Sequence, residues 1–141
     1  KIEQLGQLLP SLTELHFLRG STLSSFRDLG TSLGALCILW LGACGVSDLD
    51  GVGALSGLRE LYLAFNYVDD LTAIAMHDCL EVLDLESNRV SDIGQASQLG
   101  TCPRLWSLNL CANPVSGLRH YRQAVIAEVP HLESLDEEPV S

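Results

Sequence analysis

The chain has 141 residues, 47% of them hydrophobic, with 18 acidic against 8 basic side chains for a formal net charge of −10. That length suits one domain, and 28 leucines are ample for a continuous core. The acidic balance disfavours binding nucleic acid through phosphate neutralisation, and the longest apolar run, Ala35 to Leu41, is far short of the ~18–20 residues of a membrane span.

No secretory signal is visible, and a start at Lys1 rather than methionine reads as a segment of a longer protein. Ile2, Leu5, Leu8 and Leu9 recur at three- and four-residue intervals, so residues 1–11 are expected to form an N-terminal cap or the remainder of a repeat. A degenerate unit, LTELHFLRGSTL, follows from Leu12. Four regular ones come next: LCILWLGACGV from Leu36, LRELYLAFNYV from Leu58, LEVLDLESNRV from Leu80 and LWSLNLCANPV from Leu105. Their starts are 24, 22, 22 and 25 residues apart. This self-similarity is the signature of a leucine-rich-repeat solenoid over residues 12–116. The expected class is α/β: a right-handed solenoid with a parallel concave sheet and short helical or 3₁₀ convex segments. Spacings near 22 match the short, phosphatase-regulator type of repeat. The extra residues around Gly30 to Gly34 and Gly100 to Pro103 are expected in convex or descending loops.

Within each LxxLxL the paired leucines point inward and the intervening residues outward. The next fixed position holds Gly20, Cys44, Asn66, Asn88 and Asn113, where an amide can bond backbone groups of its own and the neighbouring turn. Threefold apolar spacing then runs through Val46, Leu49, Val52 and Leu55, through Val68, Leu71 and Ile74, and through Val90, Ile93, Ala96 and Leu99. It predicts short convex helical segments. Asp48, Asp70 and Asp92 recur where those segments begin and are expected to cap them.

From Asn113 the pattern changes to NPVSGLRHYRQAVIAEVPHLESLDEEPV. Leu118, Tyr121, Val125 and Val129 are expected on one face of a helix stopped by Pro130, with Leu132 and Leu135 adding a last strand. Residues 117–141 therefore read as a C-terminal cap. Asn113, Pro114, Val115, Tyr121, Arg122, Pro130, Leu132, Leu135 and Asp136 resemble the capping motif of the phosphatase-regulator-like branch of leucine-rich repeats.

Five cysteines without a C-x-x-C pair read as free thiols in a reducing compartment, with Cys37, Cys79 and Cys102 as small buried residues at repeat entries. The four histidines are scattered away from metal-ligand spacing. No nucleophile elbow, phosphate loop or dinucleotide turn is present, so no enzymatic activity and no cofactor or metal are expected.

Function is therefore sought among the outward columns: Glu14, Ile38, Glu60, Val82 and Ser107; His16, Trp40, Tyr62, Asp84 and Asn109; Leu18, Gly42, Ala64, Glu86 and Cys111. Arg19, Phe65 and Ser87 lie at the edge. Leu18, Ile38, Trp40, Tyr62 and Phe65 form the expected protein-binding patch, flanked by the acids Glu60, Asp84 and Glu86 that favour a basic partner.

The stretch from Asp28 to Ile74, LEVLDLESNRVSDIGQ from Leu80, CPRLWSLNL from Cys102 and YRQAVIAEVPHLESLDEEP from Tyr121 carry a closer resemblance. They resemble the ciliary group typified by leucine-rich repeat-containing protein fifty-six, departing from it at Met76 to Cys79 and in the irregular first repeat. That resemblance implies a cytoplasmic and ciliary or flagellar adaptor, with dynein-arm or intraflagellar transport components as partners. The chain is expected to be a monomer. The alternative is a regulatory subunit docking its concave face on an enzyme such as a protein phosphatase.

Overall fold

The computed structural model describes residues 4–141, so Ile2 of the N-terminal apolar series lies outside the described residues. Six short parallel strands follow in chain order: β1 (Glu14–His16), β2 (Ile38–Trp40), β3 (Glu60–Tyr62), β4 (Val82–Asp84), β5 (Ser107–Asn109) and β6 (Ser134–Leu135). A seventh, β7 (Glu138–Pro139), folds back antiparallel on β6. Strand order equals chain order, which is the defining topology of a solenoid. Each crossover carries a short helical segment and is of the right-handed kind that twisted parallel strands impose.

Register follows the repeat. Leu15, Leu39, Leu61, Leu83, Leu108 and Leu135 stand opposite one another, as do Glu14, Ile38, Glu60, Val82, Ser107 and Ser134. From Leu36 to Leu110 every leucine of the four regular LxxLxL motifs is buried. The convex valines and leucines close the other side of that core. Only Ile93 of the threefold series is partly exposed.

The convex segments are 3₁₀ turns at Phe26–Leu29, Val52–Ala54 and Thr72–Ile74, and the helix α2 (Gln95–Leu99) in the longest repeat. A slightly longer connection admits a true α turn. The expected aspartate caps are Asx turns instead. Asp48, Asp70 and Asp92 each accept the backbone N–H two residues on, from Asp50, Thr72 and Gly94, at 2.8–2.9 Å. These bonds fall at or within two residues before the start of the helical segments, whose cap residues Gly51, Leu71 and Gly94 make no side-chain bond.

A buried amide ladder runs beside the strands. Asn66 Oδ1 accepts from the backbone N–H groups of Cys44 and Val46, while its Nδ2 donates to Leu41 and Leu63 carbonyls. Asn88 and Asn113 repeat the arrangement one and two units on. Cys44 fills the same position with a weaker donor, its thiol reaching the Leu18 and Gly42 carbonyls at 3.6 and 3.3 Å. Burial pushes this thiol up, which keeps it a protonated donor. All five cysteines are free, but only Cys44 and Cys102 are buried. Cys37 and Cys79 are half-buried, because the positions directly after and before an entry leucine lie at the rim of the core.

The ends depart furthest from expectation. The N-terminal helix α1 (Leu5–Leu8) leaves Leu8 74% and Leu9 49% exposed, so these leucines do not seal the core. At the other end the helix α3 (Tyr121–Glu128) starts later than the apolar spacing suggests. Leu118 follows a 3₁₀ turn in extended conformation and is 47% exposed, whereas Tyr121, Val125 and Val129 are buried. The Tyr-Arg pair acts through polar groups. Tyr121 donates its hydroxyl to Asp136 at 2.9 Å, Asp136 accepts the Leu110 N–H at 2.7 Å, and Arg122 holds the Leu135 and Pro139 carbonyls. The Asp136 side chain thus stands in for the strand carbonyl that accepts the equivalent N–H in earlier repeats, as the Asn109 carbonyl accepts from Leu85. α3 packs so closely on α2 that a side chain at Gly100 would strike the Glu128 carbonyl.

Asn88→Ala is expected to destabilise the fold by about 3 kcal/mol, since it strands the buried Val68 N–H and carbonyls of two turns at once. Equilibrium urea unfolding measures the loss, and a change under about 1 kcal/mol would mean that water replaces the amide.

Candidate protein-binding face

Parallel strands stand about 4.8 Å apart, close to the separation of stacked rings, so one aromatic column across a sheet can become a continuous stack. His16, Trp40 and Tyr62 occupy matching positions on β1, β2 and β3. The Trp40 ring lies 3.7 Å from that of Tyr62 at 8°, and 5.2 Å from that of His16 at 22°. Carboxylates from the adjacent column pin both ends: Glu14 pairs with His16, and Tyr62 donates to Glu60 at 2.5 Å. Burial and the Glu60 bond push the Tyr62 phenol far above its ordinary value, so it remains a neutral donor.

Beside the ladder, Gly42 and Ala64 leave a hollow of about 290 Å³ walled by Trp40, Tyr62, Phe65, Arg19 and Asp84. Small side chains in that column make the space. Phe65 closes it from a backbone position at φ 61°, in the left-handed region. Ala43, Ser87 and Ala112 occupy the same turn position at φ 53°, 55° and 58°, each with a small side chain. The turn is retained because the backbone N–H at these positions binds the carbonyl of the next repeat, as Phe65 does to Glu86 at 2.8 Å. A phenylalanine here carries left-handed strain of about 1–3 kcal/mol without a core to fill, for it is 49% exposed with the Arg19 guanidinium 5.4 Å above its ring.

On the far side of Tyr62 a smaller hollow, about 120 Å³, lies over Val82 between the Tyr62 ring and Asp84, Asn109 and Glu137. Asp84 Oδ1 accepts the Glu86 N–H at 3.0 Å. Burial raises the Asp84 pKa, and the nearby Glu137 charge adds to the effect. Among the described residues no cation pairs with Asp84, Glu86 or Glu137. Asn109, one repeat on, makes the same bond to its own i+2 N–H at 2.9 Å. The fold therefore needs an acceptor at Asp84, not a charge.

Of the expected patch, Trp40, Tyr62, Phe65 and Asp84 converge on one face. Glu60 serves Tyr62, and Ile38 is a half-buried neighbour between Glu14 and Glu60. Leu18, 82% exposed, and Glu86 stand outside both hollows. Glu137 was not legible as part of this face, because the β6–β7 hairpin that delivers it has no counterpart in the repeat. Tyr67 and Trp106 are also exposed, at 50% and 41%, on the rims before and after the strands. A third hollow on the convex side adjoins His77, whose ring accepts the Cys79 N–H and donates to the Leu55 carbonyl. The Met76-to-Cys79 departure is thereby structural. Among the described residues no cluster of metal-ligating side chains occurs, and no helix is long and apolar enough to cross a membrane.

A leucine-lined core, an amide ladder and one open strand face define a leucine-rich-repeat protein, and a leucine-rich-repeat family profile matches residues 2–141: the chain belongs to that family. It is 45% identical over 148 residues to human leucine-rich repeat-containing protein 56, covering 96% of this chain but 27% of that protein. A Trypanosoma brucei homologue of the same protein is 35% identical over 120 residues, covering 82% of this chain and 16% of the homologue. Bovine leucine-rich repeat-containing protein 23 is 36% identical over 101 residues, with 71% and 30% covered. The chain thus spans about a quarter of the human relative's length. The fold is shared with a chain of the Drosophila melanogaster SNF/U2A′ complex, TM-score 0.73 at 20% identity, covering 91% of this chain and 73% of that one. A Listeria monocytogenes internalin, InlF, aligns at TM-score 0.76 and 21% identity, covering 96% and 37%.

Phe65→Gly is expected to leave stability unchanged or raise it by about 1 kcal/mol, since glycine accepts the left-handed turn freely. A clear loss in thermal melting would instead make Phe65 a packing residue. Because folding raises the Asp84 pKa, its ionised form detracts from stability above the folded pKa, and the penalty vanishes below the unfolded value of 3.8. Asp84→Asn is therefore expected to be more stable than the parent at neutral pH, with the difference closing on acidification, as paired unfolding curves across pH 3–8 measure.

Proposed function

We propose that this chain is a non-enzymatic protein-interaction scaffold that docks a partner on its concave face, as part of an adaptor in outer dynein arm assembly or intraflagellar transport. The observation that carries the docking reading is the solvent-facing His16–Trp40–Tyr62 stack with strained Phe65 beside it. Neither feature serves the core, and exposed aromatics at the centre of an open face are the usual anchors of interfaces. Membership of a family whose members commonly present such a face supports the same reading. The ciliary setting, with localisation in the cytoplasm and the cilium or flagellum, rests on the likeness to leucine-rich repeat-containing protein 56, which extends over 96% of the chain.

Affinity purification from ciliated and unciliated cells tests both parts. Dynein-arm or transport components are expected from ciliated cells alone. Trp40→Ala is expected to weaken the isolated interaction about thirtyfold, or roughly 2 kcal/mol, while moving the melting temperature by only a few degrees. Recovery of a phosphatase catalytic subunit without ciliary components would replace the adaptor reading by that of an enzyme regulator.

A further inference from the structure

The aromatic ladder ends asymmetrically. One face of Tyr62 is covered by Trp40 at 3.7 Å, and its other face turns toward β4, where the ladder position is held by Asp84. A carboxylate cannot continue a ring stack, and the space it leaves is the hollow of about 120 Å³ over Val82. We propose that this hollow receives an arginine side chain presented by a partner protein, its guanidinium lying against Tyr62 and bonding Asp84 and Glu137. The proposal rests on the reading of the concave face as a docking surface.

Shape, charge and the repeat itself each support that occupant. A guanidinium is planar and weakly hydrated, so it can take the next place in a stack of rings, whereas an ammonium is a point charge that keeps its water. Val82 provides an apolar floor for the methylenes that carry it. Asp84 Oδ1 is engaged by the Glu86 N–H, and no donor among the described residues reaches Oδ2. Glu137 brings a second carboxylate from the left-handed turn between β6 and β7, at φ 65°. The chain charge is −10, and among the described residues the arginines that pair with carboxylates, Arg27 and Arg122, do so elsewhere, which favours a cation supplied by a partner. The neutral Asn109 at the equivalent position makes the same backbone bond, so the charge at Asp84 is free to serve a ligand.

The test is an amide chemical-shift titration of the chain with three otherwise identical neutral peptides carrying one arginine, one lysine or one citrulline. The arginine peptide is expected to shift amides around Tyr62, Asp84, Asn109 and Glu137. Lysine should bind at least about fivefold more weakly and citrulline not measurably. Asp84→Asn should weaken the arginine peptide about tenfold, and Asp92→Asn, which removes the same charge from the convex side, should not. Glu137→Gln, on the exposed hairpin, gives an independent loss if Asp84→Asn perturbs folding. Equal binding of arginine and lysine, an equal effect of Asp92→Asn, or shifts centred elsewhere would overturn the proposal. So would a dimer in sedimentation that Asp84→Asn dissociates, since a second copy would then fill the hollow. If partner capture survives Asp84→Asn and Glu137→Gln but not Trp40→Ala, the arginine site fails and the docking face stands. If it survives all three, the docking face fails as well.

Discussion

A buried amide in three consecutive turns, bonding its own repeat and the one before it, is the contact from which the rest of this molecule follows. The strands are three residues long and could not hold register by their own few hydrogen bonds. Asn66, Asn88 and Asn113 satisfy backbone groups that the tight turn would otherwise bury unpaired, and they do so across the boundary between repeats. The same turn forces a left-handed residue just before each ladder position, Cys44 included, which is why Ala43, Phe65, Ser87 and Ala112 share one conformation. Stacked leucines provide the hydrophobic drive, but the ladder makes the stacking periodic.

Periodicity is what makes the departures informative. Where every repeat solves the same packing problem, a residue that differs from its counterparts without improving the solution is answering to something else. Phe65 stands where small residues suffice. Asp84 carries a charge where Asn109 makes the same bond without one. Trp40 and Tyr62 stack face to face on the solvent side of a sheet whose core lies wholly on the other side. These four residues lie within one face, over three neighbouring repeats, and none of them belongs to the buried core.

The capped end adds a different kind of logic. Asp136 accepts the Leu110 N–H on its carboxylate, where earlier strands use a backbone carbonyl, Tyr121 bonds its other oxygen, and Arg122 ties the last two strands together. Closing the solenoid in this way places a hairpin next to β5 and carries Glu137 over the open face. A terminal structure thus contributes to the surface that the repeats build.

The repeat spacing by itself determined the strand order, the register, the inward leucines and the columns that face outward, because each depends only on local periodicity and on side chains meeting their equivalents one turn away. It also placed Trp40, Tyr62, Phe65 and Asp84 on one surface. Tertiary structure alone decided what the period does not govern. Leu8, Leu9 and Leu118 have the spacing of buried residues but stand exposed, outside the regular repeats. The recurring aspartates form Asx turns because the chain bends before the helical segments begin. The stacking of three rings and the approach of Glu137 to Asp84 are likewise three-dimensional facts: the first needs the strand separation, the second a hairpin 53 residues further along the chain.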